Sequence, residues 1–293
     1  MTDTTKTTEP ATTNGRSHTY HAEASVLEGH LRLPLEQEIK PQAYAKLPDQ
    51  GGYFNQNLEN YNLGKAITIR SAHTQVAGNL DPKPGKGWTT LVTTVVEGLN
   101  VLEVLTADRV VGQISVSHPL DGYVPSISFL GTRFDNLRIS GHPVRVRLGL
   151  GILGSKPPGD SSYTQHDDVK ASVKTQYDAI LAAKDLPDEL KDHYNKLSST
   201  LGSPAEVECS LVNRASGAYP GSCFGHVIKV PGFGTITLAK LRLHHENYKT
   251  GTQGISIPHK TTVHLTMIDM KLGCSIEGNP HVAPMSTNGH TVP

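Results

Sequence analysis

The chain lacks several things, and each absence excludes a class of protein. It has no apolar run of about 18 residues, the least that spans a membrane as a helix. It has no excess of either charge: Lys+Arg and Asp+Glu number 27 each, for a formal net charge of zero. Without a basic surplus little is available to neutralise phosphates, which argues against nucleic acid as the main partner. Charged residues make up only 18 %, and low self-repulsion eases self-association. The N-terminal "MTDTTKTTEPATTNGRSHTY" has no apolar segment behind a basic start, so it does not read as a secretory signal. Cysteine is scarce: Cys209, Cys223 and Cys274, with no C-x-x-C pair. An odd count leaves at least one thiol unpaired within the chain. Cys209 and Cys223 flank the loop-like "SLVNRASGAYPGS", and a disulfide between them is possible outside the cell. The alternative is a set of small buried thiols.

Catalytic motifs are missing too. No G-x-S-x-G elbow and no G-x-x-x-x-G-K-[ST] loop occurs. "GLGILG" at 149–154 lacks G-x-G-x-x-G spacing, and the acids of "DLPDELKD" sit on a helix surface. The nearest approach to a metal motif is His244, His245 and Glu246 at the end of "GTITLAKLRLHHENYK". Adjacent strand residues point to opposite faces, so the two histidines do not share an ion. No His follows four residues later, as H-E-x-x-H requires. The 15 histidines are dispersed; His21, His30, His118 and His142 fall near strand ends and read as polar rim residues. The functional counterpart is pH-sensitive association, because His titrates near neutrality. No catalytic residue, metal or cofactor is expected.

What is present is strand material. Threonine occurs 28 times, and with Val and Ile it favours β structure. The 28 Gly and 19 Pro supply punctuation for many turns. Residues 1–19, with seven Thr in the first 13 positions, read as a flexible arm. A single β domain is predicted over 20–276, and 277–293 reads as an irregular tail. Strands are expected in "AITIRSA", "WTTLVTTVVEG", "NVLEVLTA" and "RVVGQISVSH". The cleanest alternation is "HPVRVRLGLGIL", with Val144, Val146, Leu148, Leu150 and Ile152 inward and Arg145 and Arg147 outward. In "GTITLAKLRL" the phase slips near Ala239–Lys240, which predicts a β-bulge with one extra residue. The period then becomes helical over 167–198: Val169, Val173, Tyr177 and Ile180 form one stripe, and Leu190, Tyr194 and Leu197 another. The fold class is therefore all-β, a β-sandwich or jelly roll with a short helical-hairpin insertion.

The order "LNVLEVLTADRVVGQISVS", "SISFLGTRFDNLRISGHPV", "GFGTITLAKLRL" and "LTMIDMKLGC" resembles bacterial β-rich surface proteins of the choice-of-anchor P type. The resemblance covers roughly residues 60–152 and 205–276, on packing motifs rather than catalytic ones. It implies a non-catalytic role at the cell surface or outside the cell. This chain departs from it in having no N-terminal signal and no recognisable C-terminal anchor.

The expected function is that of a surface, matrix or fibre-forming structural protein that self-associates through its N-terminal segment. Leu31, Leu33 and Leu35 alternate strictly behind Val26, and such a strand can add to a neighbour's sheet edge. Residues 24–35 are otherwise the first strand of their own domain. Partners are then copies of the chain or a surface polysaccharide. The alternative is a glycan-acting hydrolase, with its cleft beneath the helical insertion, or a carbohydrate-binding module.

Overall fold

The computed structural model describes residues 16–34, 36–64, 66–81, 83, 86–159, 161–203, 205–249, 256–273 and 275–292. Five short strands come first: β1 (Ser17–Thr19), β2 (Ala22–Ala24), β3 (Leu27–Leu33), β4 (Gln37–Gln42) and β5 (Ala45–Lys46). Four long ones follow, β6 (Gly52–Leu63), β7 (Ile67–Leu80), β8 (Trp88–Val101) and β9 (Leu105–His118). Short pieces come next: β10 (Ser126–Ser128), β11 (Arg133–Asp135), β12 (Arg138–Ile139), β13 (His142–Pro143) and β14 (Arg145–Leu148). Helices α1 (Asp167–Leu181) and α2 (Asp188–Thr200) precede β15 (Glu206–Ser210), β16 (Val212–Ser216), β17 (Ser222–Phe224) and β18 (Val227–Val230). Long strands return in β19 (Gly234–Lys249), β20 (Ser256–Gly273) and β21 (Glu277–Thr287), before β22 (His290–Val292).

Two antiparallel sheets pack face to face. One is the meander β6-β7-β8-β9, extended by β10, β11 and β12 along β9 and by β13 beside β12. The other is β17-β18-β19-β20-β21-β2-β5, with β15 beside β19, β3 beside β21 and β4 beside β3. Strands β2, β20 and β21 of the second sheet lie against β7, β8 and β9 of the first. The inward side chains, among them Val92, Val96, Ile114, Leu241, Leu265 and Val282, are fully buried between them. The fold is thus all-β, and the sequential order of the meander makes it a sandwich. The helical insertion falls where the periodicity places it. α1 buries Val169, Val173, Tyr177 and Ile180, and α2 buries Tyr194.

Both sheets carry a crease at which side-chain phase inverts. In β19, Ile236 and Leu238 are buried, and so are Ala239, Leu241 and Leu243. No extra residue causes this, contrary to the bulge expected from sequence. Leu238 pairs with Ile268 and Lys240 with Thr266, so the register to β20 is the same on either side. Ala239 instead adopts φ 44°. Neighbouring strands invert in step: Met267 and Ile268 are both buried on β20, and Val282 and Ala283 on β21, with Ala283 at φ 51°. The line continues to Val26, whose carbonyl accepts from the Ala283 N–H at 2.9 Å. Two consecutive side chains point inward along it, so alanine fits where larger residues crowd. The meander carries the opposite crease, in which two consecutive residues face outward: Arg70 and Ser71, Glu97 and Gly98, Asp108 and Arg109. Charge settles there. Glu97 accepts from Arg109 Nε at 2.8 Å and Ser71 Oγ at 3.1 Å, with Arg70 3.8 Å away.

The β8–β9 connection is a tight turn with Leu102 at φ 54° and Glu103 at φ 58°, closed by the Val104 N–H on the Val101 carbonyl at 3.0 Å. Such turns ordinarily use Asn and Gly, since L-residues pay about 1–2 kcal/mol for left-handed backbone. Glu103 is exposed. Replacing Glu103 with Gly is expected to stabilise the protein by roughly 0.5–1 kcal/mol, after the added entropy of an unfolded glycine. A chemical-denaturation midpoint that falls in this variant would contradict the expectation.

Several sequence readings need correction. The tail is not irregular: β21 sits inside the second sheet, between β20 and the N-terminal strands β2 and β3. Its alternation is hidden by Pro280, Pro284 and the crease. Ser17–Thr19 belong to no flexible arm but pair with β22 as Ser17↔Val292 to Thr19↔His290; the rest of that arm, 1–15, lies outside the described residues. The phase of "VRVRL" is right, but its strand covers only Arg145–Leu148, paired with β16. Val146 and Leu148 are half-buried there, and the chain turns at Gly149.

Candidate functional site

The helical hairpin is fastened over the outer face of the second sheet. Gln176 of α1 stands in for a missing strand: its Nε2 donates to the carbonyls of Ser210 (2.9 Å) and Val212 (3.2 Å), and its Oε1 accepts from the Ser210 N–H (2.8 Å). The Tyr177 hydroxyl donates to the Glu208 carbonyl. Beneath α2 this leaves an open groove of about 700 Å³. Strand β15 and strands β18 to β21 form its floor, and Pro187, Leu190 and His193 its rim.

A chain of charges crosses the floor. Lys240 Nζ lies 3.4 Å from Glu208 Oε2 and 3.4 Å from Asp269 Oδ2. Glu208 also meets Arg242 Nε at 2.9 Å and His193 Nε2 at 3.2 Å. Asp269 meets His281 Nδ1 at 2.8 Å. The register of β19, β20 and β21 places Asp269 between Thr237 and His281. Burial alone would raise the Glu208 carboxyl, but His193, Lys240 and Arg242 outweigh it and hold it at about 2. Asp269 behaves the same way: burial pushes it up, and His281 and Lys240 hold it below the usual range. Both carboxylates therefore stay ionised at neutral pH. Glycosidic cleavage needs one carboxylic acid kept protonated, and these two do not provide it. Behind the rim, the Tyr194 hydroxyl and His226 Nε2 are 2.9 Å apart, and burial lowers His226 to about 4.

A second concentration of ionisable groups seals one end of the sandwich, where β1 and β22 meet. His18 stacks on Trp88 with ring centroids 5.2 Å apart and 12° between planes. His118 lies 4.6 Å from His18, and Tyr20 meets His18 edge-on at 4.6 Å. His18 Nδ1 is 3.1 Å from Thr291 Oγ1. Among the described residues, His18 Nε2, His118 Nδ1 and Trp88 Nε1 find no hydrogen-bond partner. Burial, then His118 and His290, lowers His18 to about 2. Burial is also the main cause that lowers His118 to about 3.

The residues singled out in the sequence fare unevenly. His244 is half-exposed, while His245 is buried on the opposite face with Nδ1 3.3 Å from Thr261 Oγ1. Cys209 and Cys223 are free thiols, not a disulfide. Cys209 points into the core from β15 opposite Leu241, whereas Cys223 lies two strands from β19, opposite Ile228. Burial pushes the Cys209 thiol up to about 12. Cys274 lies outside the described residues. Val26 and Leu31 are not an intermolecular surface, because both are buried in their own core; Leu33 is 45 % exposed, and Leu35 lies outside the described residues. His21, His30 and His142 sit at the rim, but His118 is a core residue. The sequence reading missed Glu208, Lys240, Asp269 and His281. Each is one outward-facing polar position among several in its strand, and nothing in the sequence sets it apart.

Among the described residues no three His, Cys, Asp or Glu side chains form a group that could hold a metal ion. No described helix is long and apolar enough to cross a membrane. Neither a curated protein sequence nor a solved structure matches the chain. One family does, described as a domain of unknown function (DUF8256), and its match runs from residue 18 to 244. That span takes in the first sheet, the helical hairpin and the part of the second sheet that precedes β20, and the chain belongs to the DUF8256 family.

Proposed function

We propose that the chain is a non-catalytic binding module whose ligand is a neutral polyhydroxylated compound, a saccharide, held in the groove beneath α2. The observation that carries this is the compensated charge network of Glu208, Asp269, Lys240 and Arg242, two carboxylates against two cations. Its charges cancel locally, so the groove exerts little net pull on an ion. It still offers carboxylate acceptors and ammonium and imidazole donors side by side, which is what vicinal hydroxyls need. Leu190 and Pro187 line the same groove and suit the C–H faces of a sugar ring. A polysaccharide at a cell surface presents such rings in series, the setting that the resemblance to surface proteins implies. A self-assembling structural role is a second reading, favoured by the exposed strand β6.

The test is binding of the full chain to an array of neutral and acidic oligosaccharides. At least one neutral oligosaccharide should be retained, and Asp269→Asn should weaken it by about tenfold, as expected for a lost charge-assisted hydrogen bond. Melting curves of the variant show whether it is folded. Preference for sulfated glycans, or retention of none, would sink the reading. Release of new reducing ends would replace it with hydrolysis.

A further inference from the structure

We propose that β6 is an assembly edge that pairs antiparallel with β6 of a second copy of this chain, about a two-fold axis at Gln56. The proposal is independent of what the groove binds. β6 closes the first sheet with β7 on one side and, among the described residues, no strand on the other. Natural edge strands are shielded by shortness, by proline, by lysine or by a covering loop. β6 spans twelve residues and contains no proline, no lysine and one charge, Glu59. Other outermost strands are shorter, among them β13, β17, β5 and β4 with two, three, two and six residues. Among the described residues, then, the one long edge strand available to match β6 is β6 itself.

The core also ends unfinished there. Phe54, Gln56 and Leu58 pair with Val76, Thr74 and Ala72 of β7, which are buried core residues. Phe54 therefore lies on the core face of the sheet, yet it is 41 % exposed. An axis at Gln56 sets Phe54 of one copy opposite Leu58 of the other, twice, and so prolongs the apolar layer. The same register sets Asn55 opposite Asn57 and Tyr53 opposite Glu59. Amide meets amide, a phenol meets a carboxylate, and no like charges meet. Pairing involves Tyr53–Glu59, the part of β6 before the crease at Asn60 (φ 50°).

The full chain is expected to be a concentration-dependent dimer in sedimentation equilibrium. Asn55 and Asn57 are exposed, so changing them should leave the melting temperature unaltered. Asn55→Lys with Asn57→Lys sets lysine against lysine twice and should weaken association by roughly tenfold or more. Asn55→Lys with Asn57→Glu sets opposite charges together in this register and should restore it. Amide exchange provides a readout without mutation: protection over residues 53–59 should rise with protein concentration. A chain that stays monomeric at every concentration overturns the proposal. So does a lysine pair that dimerises like wild type, or a Lys/Glu pair that fails to rescue.

Discussion

Acidification is expected to open the sealed end of the sandwich and then unfold the protein, well above the pH at which ordinary carboxylates titrate. His18 and His118 are buried and neutral, with folded values of about 2 and about 3. Both lie below the unfolded value near 6.5, so the unfolded chain binds more protons in the interval between. Stability is fully present above pH 6.5 and is lost as pH falls toward the folded values. Each histidine contributes up to about 1.4 kcal/mol per pH unit. Two units below 6.5, the pair removes about 5 kcal/mol, comparable to the whole stability of many domains. His226 adds a loss of the same sign down to about 4. Glu208 and Asp269, lowered rather than raised, contribute stability above the ordinary carboxylate range and lose it only below. The readout is unusually direct, because Trp88 is the chain's one tryptophan and stacks on His18. Its emission should shift to the red as pH falls from about 6 to about 4, and His18→Phe with His118→Leu should flatten that dependence. Emission and melting temperature that hold constant down to about pH 3.5 would refute the neutral-histidine account.

Ala239→Val is expected to be among the most damaging conservative substitutions in the chain, and Ala239→Gly nearly neutral. Ala239 is wholly buried at φ 44°, beside inward-facing Leu238 and opposite Met267. A β-branched side chain adds backbone strain in the left-handed region and overpacks the crease. Together these cost roughly 2–5 kcal/mol, or a fall of about 5–15 °C in melting temperature for a domain of this size. Glycine relieves the strain and forfeits one methyl group, so its net effect is expected within about 1 kcal/mol. Ala283, at φ 51° on the same crease two strands away, should behave alike. Equal effects of Val and Gly at Ala239 would mean that the crease tolerates bulk.

The creases also explain what was legible in the sequence. The helical hairpin was clear, because its apolar stripe has one period and Pro187 marks the start of α2. The long strands were found but cut in the wrong places. "WTTLVTTVVEG" ends at Gly98 and "NVLEVLTA" near Asp108, and both positions lie on the crease, inside β8 and β9. The true turn, at Leu102 and Glu103, carries neither Gly nor Asn and so gave no signal. The groove could not be read at all. Its charges come from β15, β19, β20, β21 and α2, and only the strand register brings them together. The sealed end depends on pairing residues 17–19 with 290–292, a closure across nearly the whole chain.

The inverted phase at Ala239, Met267 and Ala283 ties three strands to a common length rule. A single residue inserted on one side of the line would carry every later side chain of that strand to the wrong face, while its neighbours stayed correct. Repair would require matching insertions in β19, β20 and β21 at once. Relatives of this chain should therefore vary in length outside these strands, with the stretch from Leu238 to the end of the β15 pairing at His244 unchanged in number. Gains and losses of residues would gather in connections such as 154–159, whose described residues pair with no strand.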